Sequence, residues 1–211
     1  MSSILFRDIE NWMDAQVHGW ASKEKAGTMV GAVLSLRPRI VVEIGVWSGK
    51  SLIPMALALR HLNNDAKIIA IDPWQKEASI EGQKDADLDY WSRVDHENVY
   101  EIFCRALRDT GTAPWVKVYR CRSEEFDAPK DWVIDILHID GNHGETASIY
   151  DVQNFASLVR VGGMLFMDDV GWAKKATEMI PKLGFRELYP LDTGIMYQRF
   201  FDVGNITNES R

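Results

Sequence analysis

Arg39-Ile-Val-Val-Glu-Ile-Gly-Val-Trp-Ser-Gly-Lys-Ser51 is the stretch whose reading decides the fold. Ile40 to Ile44 is nearly continuous apolar sequence rich in β-branched residues. Such a run suits a strand buried on both faces of a parallel sheet. Gly45 and Gly49 then predict a tight turn, and a helical pattern begins near Lys50 and continues through the apolar run Leu52 to Leu59. Strand, glycine turn and helix form the opening of a mononucleotide-binding half-sheet, with its ligand at the helix N-terminus.

Three ligands compete for this turn. A phosphate-binding P-loop needs four residues between its glycine and Gly-Lys-Ser/Thr, whereas Gly45 and Gly49 are separated by three. A dinucleotide fingerprint needs glycine where Trp47 and Lys50 stand, and Trp47 blocks the approach of backbone to a pyrophosphate. S-adenosylmethionine (SAM) carries no phosphate and tolerates a bulkier loop. Glu43-x-Gly-x-x-x-Gly49 resembles motif I of class I methyltransferases, without that motif's middle glycine. On this reading Glu43, Gly45, Trp47, Gly49 and Ser51 are candidate cofactor contacts. A plain strand-to-helix turn with no ligand is the remaining alternative.

Composition narrows the classes. The 211 residues are 46% hydrophobic and 26% charged, which suits one globular α/β domain over 1–211 with a sizeable core. Net charge is -7 without a lysine/arginine cluster, which disfavours nucleic acid as a partner. Cys104 and Cys121 lack metal-type spacing and read as reduced thiols. Arg7, Asp8 and Glu10 stand where a signal peptide would be apolar, and no long apolar run suggests a membrane segment. The expectation is a cytoplasmic protein, and assembly into a homo-oligomer is compatible with it.

Outward from the central stretch, residues 4 to 17 have helical spacing with one apolar face. A second helix is predicted from Ser22, as N-cap, to Leu36, and Pro38 ends it before the strand. These N-terminal helices, within 1–38, are expected to pack beside the sheet and roof the cofactor site. Lys67 to Asp72 is a second buried strand ending in an acid, 27 residues beyond Gly45. In this architecture a carboxylate there meets the ligand ribose, and Trp74 can stack on adenine. An acid after a strand is also a common helix cap. Residues 77–90 are acidic and weakly periodic, which reads as a lid over substrate or a solvated surface. Trp91 to Asp109 is predicted as one helix.

Trp115 to Cys121 is a third strand. Ser123 and Glu124 follow as candidate adenine contacts or a plain helix N-cap. Trp132 to Asp140 is the fourth strand and Glu145 to Val161 a helix. Gly162-Gly163 is expected to turn into a fifth strand, Met164 to Met167, closed by Asp168-Asp169. Ala173 to Leu183 is expected to be helical, and 185–190 with 194–201 to close the sheet antiparallel. The tail 205–211 is expected to fray. The fold class is therefore α/β: a Rossmann-like doubly wound sheet of about seven strands, mostly parallel, with an antiparallel C-terminal strand.

Ligands of such sheets bind outside the carboxyl ends of the strands. Asp140, Asp168 and Asp169 fall at such ends. Clustered carboxylates repel unless a cation or proton intervenes, and Mg²⁺ or another divalent cation suits an oxygen site of this kind. Alternatively these acids cap helices and bind SAM. His138 is expected in the core or at a sheet edge. His143, in the loop Asp140-Gly-Asn-His143, is a candidate general base with Asp140, or else a surface histidine.

Glu43 to Gly49, Asp72-Pro-Trp74, His138-Ile-Asp-Gly-Asn-His143 and Gly162-Gly-x4-Asp-Asp169 together resemble a class I SAM-dependent methyltransferase over about residues 40 to 170. The nearest type is the small metal-dependent O-methyltransferases of the catechol, macrocin and novobiocin kind. The resemblance implies that Asp140, Asp168 and Asp169 hold a metal. It also implies that the residue at position 143, a lysine in the catechol enzymes and His143 here, is the base. The activity expected is SAM-dependent methylation of a hydroxyl on a small molecule or sugar. A SAM-fold binding or regulatory protein without transfer activity is the alternative, and an NAD-dependent oxidoreductase a further one that Trp47 argues against.

Overall fold

The computed structural model describes residues 3–15, 17–142 and 144–203. Seven strands, β1 (Ile40–Ile44), β2 (Lys67–Ile71), β3 (Val116–Tyr119), β4 (Ile134–Ile139), β5 (Val159–Met167), β6 (Phe185–Leu191) and β7 (Gly194–Arg199), form one sheet in the order 3-2-1-4-5-7-6. β1 pairs in parallel with both β2 and β4, so the strand order reverses between β1 and β4. That reversal opens a crevice at the carboxyl ends of these two strands. β7 runs antiparallel to β5 and β6. The expected sheet and its C-terminal antiparallel strand are both present.

Helices cover both faces. α1 (Ser3–Asp14), α2 (Lys23–Leu36), α3 (Leu52–Leu62) and α6 (His96–Asp109) share one apolar layer that includes Leu5, Met29, Leu52 and Phe103. α7 (Glu145–Phe155) and α8 (Lys174–Met179) pack on the other face through Val152, Phe155 and Ala176. The central strands are buried on both faces: every residue of β4 is buried. This is the physical reason they read as largely apolar runs. None of the described helices is long and apolar enough to cross a membrane.

Three local expectations are corrected. The 91–109 helix is two helices: α5 (Asp85–Arg93) ends before Val94, and Asp95 caps α6 by accepting the Asn98 N–H at 3.0 Å. The stretch 77–90, weakly periodic in sequence, is largely helical: α4 (Lys76–Ile80) and the first part of α5 occupy it. Gly162-Gly163 lies inside β5 rather than before it. Gly162 has φ +80° there, and the pairing with β4 shifts between Ile134 and Ile136. The tail 205–211 lies outside the described residues.

Candidate active site

The turn after β1 is held by the acid after β2. Asp72 Oδ2 accepts the backbone N–H groups of Val46 and Trp47, each at 2.9 Å, and its Oδ1 accepts that of Trp74 at 2.7 Å. Burial pushes the Asp72 carboxyl up from its ordinary pKa, and these three N–H groups pull the other way. Gly45, at φ +80°, passes so close to the Asp140 carbonyl that a Cβ would collide with it. The two glycines thus serve backbone packing: a Cβ on Gly49 would lie 2.7 Å from the Phe103 ring. Trp47, Trp74 and Asp169 hold positive φ without being glycine, at the carboxyl ends of β1, β2 and β5. Such conformations persist only where the surroundings enforce them, and they gather at functional sites.

Trp74 does not stand where the sequence reading placed it. It is 2% exposed, stacks on Phe103 at 5.4 Å and gives its indole N–H to the Trp47 carbonyl at 2.8 Å. It is a core residue that props the turn, and it offers no face to an adenine.

Glu43 lies at the level of His138 on β4, its register partner. Both are fully buried. Glu43 Oε1 accepts the Ser51 hydroxyl at 2.6 Å and lies 3.4 Å from His138 Nδ1. Glu43 Oε2 has no hydrogen-bond partner among the described residues. A buried carboxylate oxygen left without a donor is costly. The α-ammonium of SAM carries three donors, so this orphaned acceptor beside the motif I turn fits SAM.

At the ends of β4 and β5 the structure brings Asp140 and Asp168 together and adds two residues that sequence reasoning did not place there. Lys25, on α2, is 3% exposed and forms a buried ion pair with Asp168 Oδ2, with Asp140 Oδ2 3.6 Å away. His138 Nε2 lies 3.4 Å from the same Asp168 oxygen and 3.9 Å from that of Asp140. His138, Asp140 and Asp168 have ligand atoms within 4.8 Å of one another, close enough for a cation, and Asp169 is not in that group. Lys25 already supplies positive charge to both carboxylates. The donor set therefore fits an ammonium better than a further divalent cation. His143 lies outside the described residues.

Lys25 had a readable signal. It falls on the buried stripe of α2 with Ala26, Met29, Val30 and Val33, at helical spacing. A lysine on such a face needs a buried partner. Ser22 caps the helix by accepting the Lys25 N–H at 3.0 Å, and the Ser22 N–H reaches Asp192 at 3.2 Å. Glu24 accepts the Tyr189 hydroxyl at 3.1 Å. The β6–β7 hairpin thereby fixes the end of α2 that carries Lys25.

On the other side, Ser123 is buried and Glu124 exposed in a 3-10 turn after β3. Behind them, on α7, Asp151 is 2% exposed, and burial raises its pKa to about 7. Above the β1 turn stands an aromatic cluster. Trp47 meets Trp20 at 5.6 Å and Trp91 at 5.4 Å, and its indole N–H reaches His18 Nδ1 at 3.0 Å. The segment between α1 and α2 and the end of α5 therefore form the roof.

Residues 42–170 match the family described as a methyltransferase domain. An uncharacterised protein, y4gI, of Sinorhizobium fredii is 31% identical over 113 residues, which are 53% of this chain and 11% of that protein. The chain thus spans about a ninth of that relative's length. Among solved structures, the O-methyltransferase NovP superposes with a TM-score of 0.63 at 21% identity, over 84% of this chain and 79% of that one. The O-methyltransferase TomG of Streptomyces achromogenes, solved with SAM, superposes with a TM-score of 0.61 at 14% identity, over 95% and 91%.

Proposed function

The chain belongs to the methyltransferase-domain family, and from that premise we propose that it transfers the methyl group of SAM to a hydroxyl on a small molecule or sugar. The observation that carries the cofactor choice is the Asp72 carboxylate on the turn. The Val46 and Trp47 N–H groups, which a dinucleotide pyrophosphate would need, already point at an anion. The site favours a ligand that meets the carboxylates with hydroxyls and an ammonium. SAM has both, and O-methyltransferases share the fold.

When bound, SAM supplies an electrophilic methyl on a sulfonium sulfur. Glu43 Oε2, the buried acceptor without a donor, would take a hydrogen bond from the α-ammonium. Asp72 has three of about four acceptor positions filled by backbone, which leaves room for one ribose hydroxyl. Ser123 and Glu124 stand at the adenine end. Asp140, whose carboxylate is 32% exposed, faces the acceptor substrate. An acceptor hydroxyl placed there would give its proton to the Asp140 carboxylate as its oxygen takes the methyl group, with the C–S bonding pair left on sulfur. Alignment of the two reactants supplies most of the rate.

Calorimetry with SAM and NAD side by side tests this reading. SAM binds and NAD does not. Tight NAD binding without a SAM response would sink it.

A further inference from the structure

We infer that Lys25 takes the place of a divalent cation at the ends of β4 and β5, and that the site works without a metal. This rests on the methyltransferase reading above and adds a positioning residue to it. The sequence resemblance points to a metal held by carboxylates at these strand ends. The structure places an ammonium there instead.

Three observations carry the inference. Lys25 Nζ is paired with Asp168 Oδ2 and lies 3.6 Å from Asp140 Oδ2, the same two oxygens that His138 Nε2 approaches at 3.4 and 3.9 Å. An ion bound by these atoms would sit in contact with the ammonium. Two cations at that spacing repel strongly in a buried site.

The lysine is also held in place rather than caught in passing. Its neighbour Lys23 has a side chain 64% exposed, while Lys25 is 3% exposed. Ser22, Glu24 and the hairpin residues Asp192 and Tyr189 fix the turn between them. Gly194 presses on the far side of Asp168, where a Cβ would lie 2.5 Å from Oδ1.

The cluster is closed as well. A catalytic Mg²⁺ keeps waters and open positions for substrate. Here His138 is fully buried and Asp168 is 8% exposed, so only Asp140 reaches outward. Lys25 therefore acts through Asp140 and Asp168. It neutralises their mutual repulsion and sets the direction of the Asp140 carboxylate.

The test is Mn²⁺ titration of the full chain, followed by the paramagnetic resonance of the free ion, with S-adenosylhomocysteine calorimetry on the same preparation. The wild type leaves Mn²⁺ free. Lys25→Ala removes the ammonium and binds Mn²⁺ at least ~10-fold more tightly than the wild type. Lys25→Arg keeps the charge and shows no gain. Should Lys25→Ala fail to fold, Lys25→Gln reads the same gain with the side-chain length retained. Tight Mn²⁺ uptake by the wild type, lost in Asp168→Asn, would overturn the inference, and so would the absence of any gain in the uncharged variants. Failure of S-adenosylhomocysteine to bind counts against the methyltransferase reading and leaves the Mn²⁺ result standing.

Discussion

Asp72 Oδ2 accepts the backbone N–H of Trp47 at 2.9 Å, across 25 residues of sequence. The acid that ends β2 thereby shapes the turn that ends β1. One carboxylate sets the backbone and faces the proposed ribose site at the same time. Substitution there disturbs both.

Asp72→Ala is expected to weaken SAM binding by about 1–3 kcal/mol, the usual cost of an unmade buried hydrogen bond. It should also lower the melting temperature, because three backbone N–H groups lose their acceptor. Calorimetry and thermal melts separate the two effects. Unchanged SAM affinity in a folded variant would place the ribose elsewhere.

Gly45→Ala should destabilise the fold by about 3 kcal/mol, combining left-handed backbone strain with a collision against the Asp140 carbonyl. Gly27, on the exposed face of α2, has nothing within 4 Å of a built Cβ. Gly27→Ala should therefore be stabilising by roughly 0.5–1 kcal/mol. Urea unfolding of both variants checks the contrast, and equal effects would contradict it.

Asp151 predicts a pH dependence of stability. Its folded pKa is raised to about 7 by burial, from 3.8. The folded state then holds a proton that the unfolded chain releases, so the contribution of Asp151 to stability is full below pH ~4 and falls as pH rises through ~7. The loss is on the order of 4 kcal/mol. Asp151→Asn should flatten this slope and be the more stable protein at pH 8. A wild type and variant that run parallel between pH 5 and 8 would refute the assignment.

The α4–α5 segment is proposed to move as a lid. No residue of α5 is buried. Its ties to the body include Trp91 against Trp47 and Trp20, the Tyr90 hydroxyl 3.4 Å from His18, the Asn142 amide donating to the Ala78 and Glu81 carbonyls at 2.8 and 3.0 Å, and an ion pair between Glu81 and Arg122. Trypsin cleavage at the exposed Lys84 and Arg93 should slow when SAM is present, and Trp91→Ala should abolish that protection. Equal cleavage with and without SAM would make the segment an ordinary surface insertion.

The strands and the acids that end them were legible in the sequence. A strand buried on both faces must be mostly apolar, so β1, β2 and β4 announce themselves locally in spite of Glu43, Asp135 and His138, and the glycine turn fixes where the first one ends. Asp72 and Asp140 could be placed because a parallel sheet puts every carboxyl end on one edge. Trp74 was misread because stacking on an adenine and stacking on Phe103 ask the same of a side chain. Only the packing of α6 decides which ring it meets.

The contacts that Lys25 and His138 make with Asp168 were beyond local reading for a different reason. Lys25 meets Asp168 across 143 residues. The meeting depends on how the β6–β7 hairpin seats the first turn of α2. A lysine on an apolar stripe declares that a buried partner exists. Which carboxylate answers it is decided by tertiary structure.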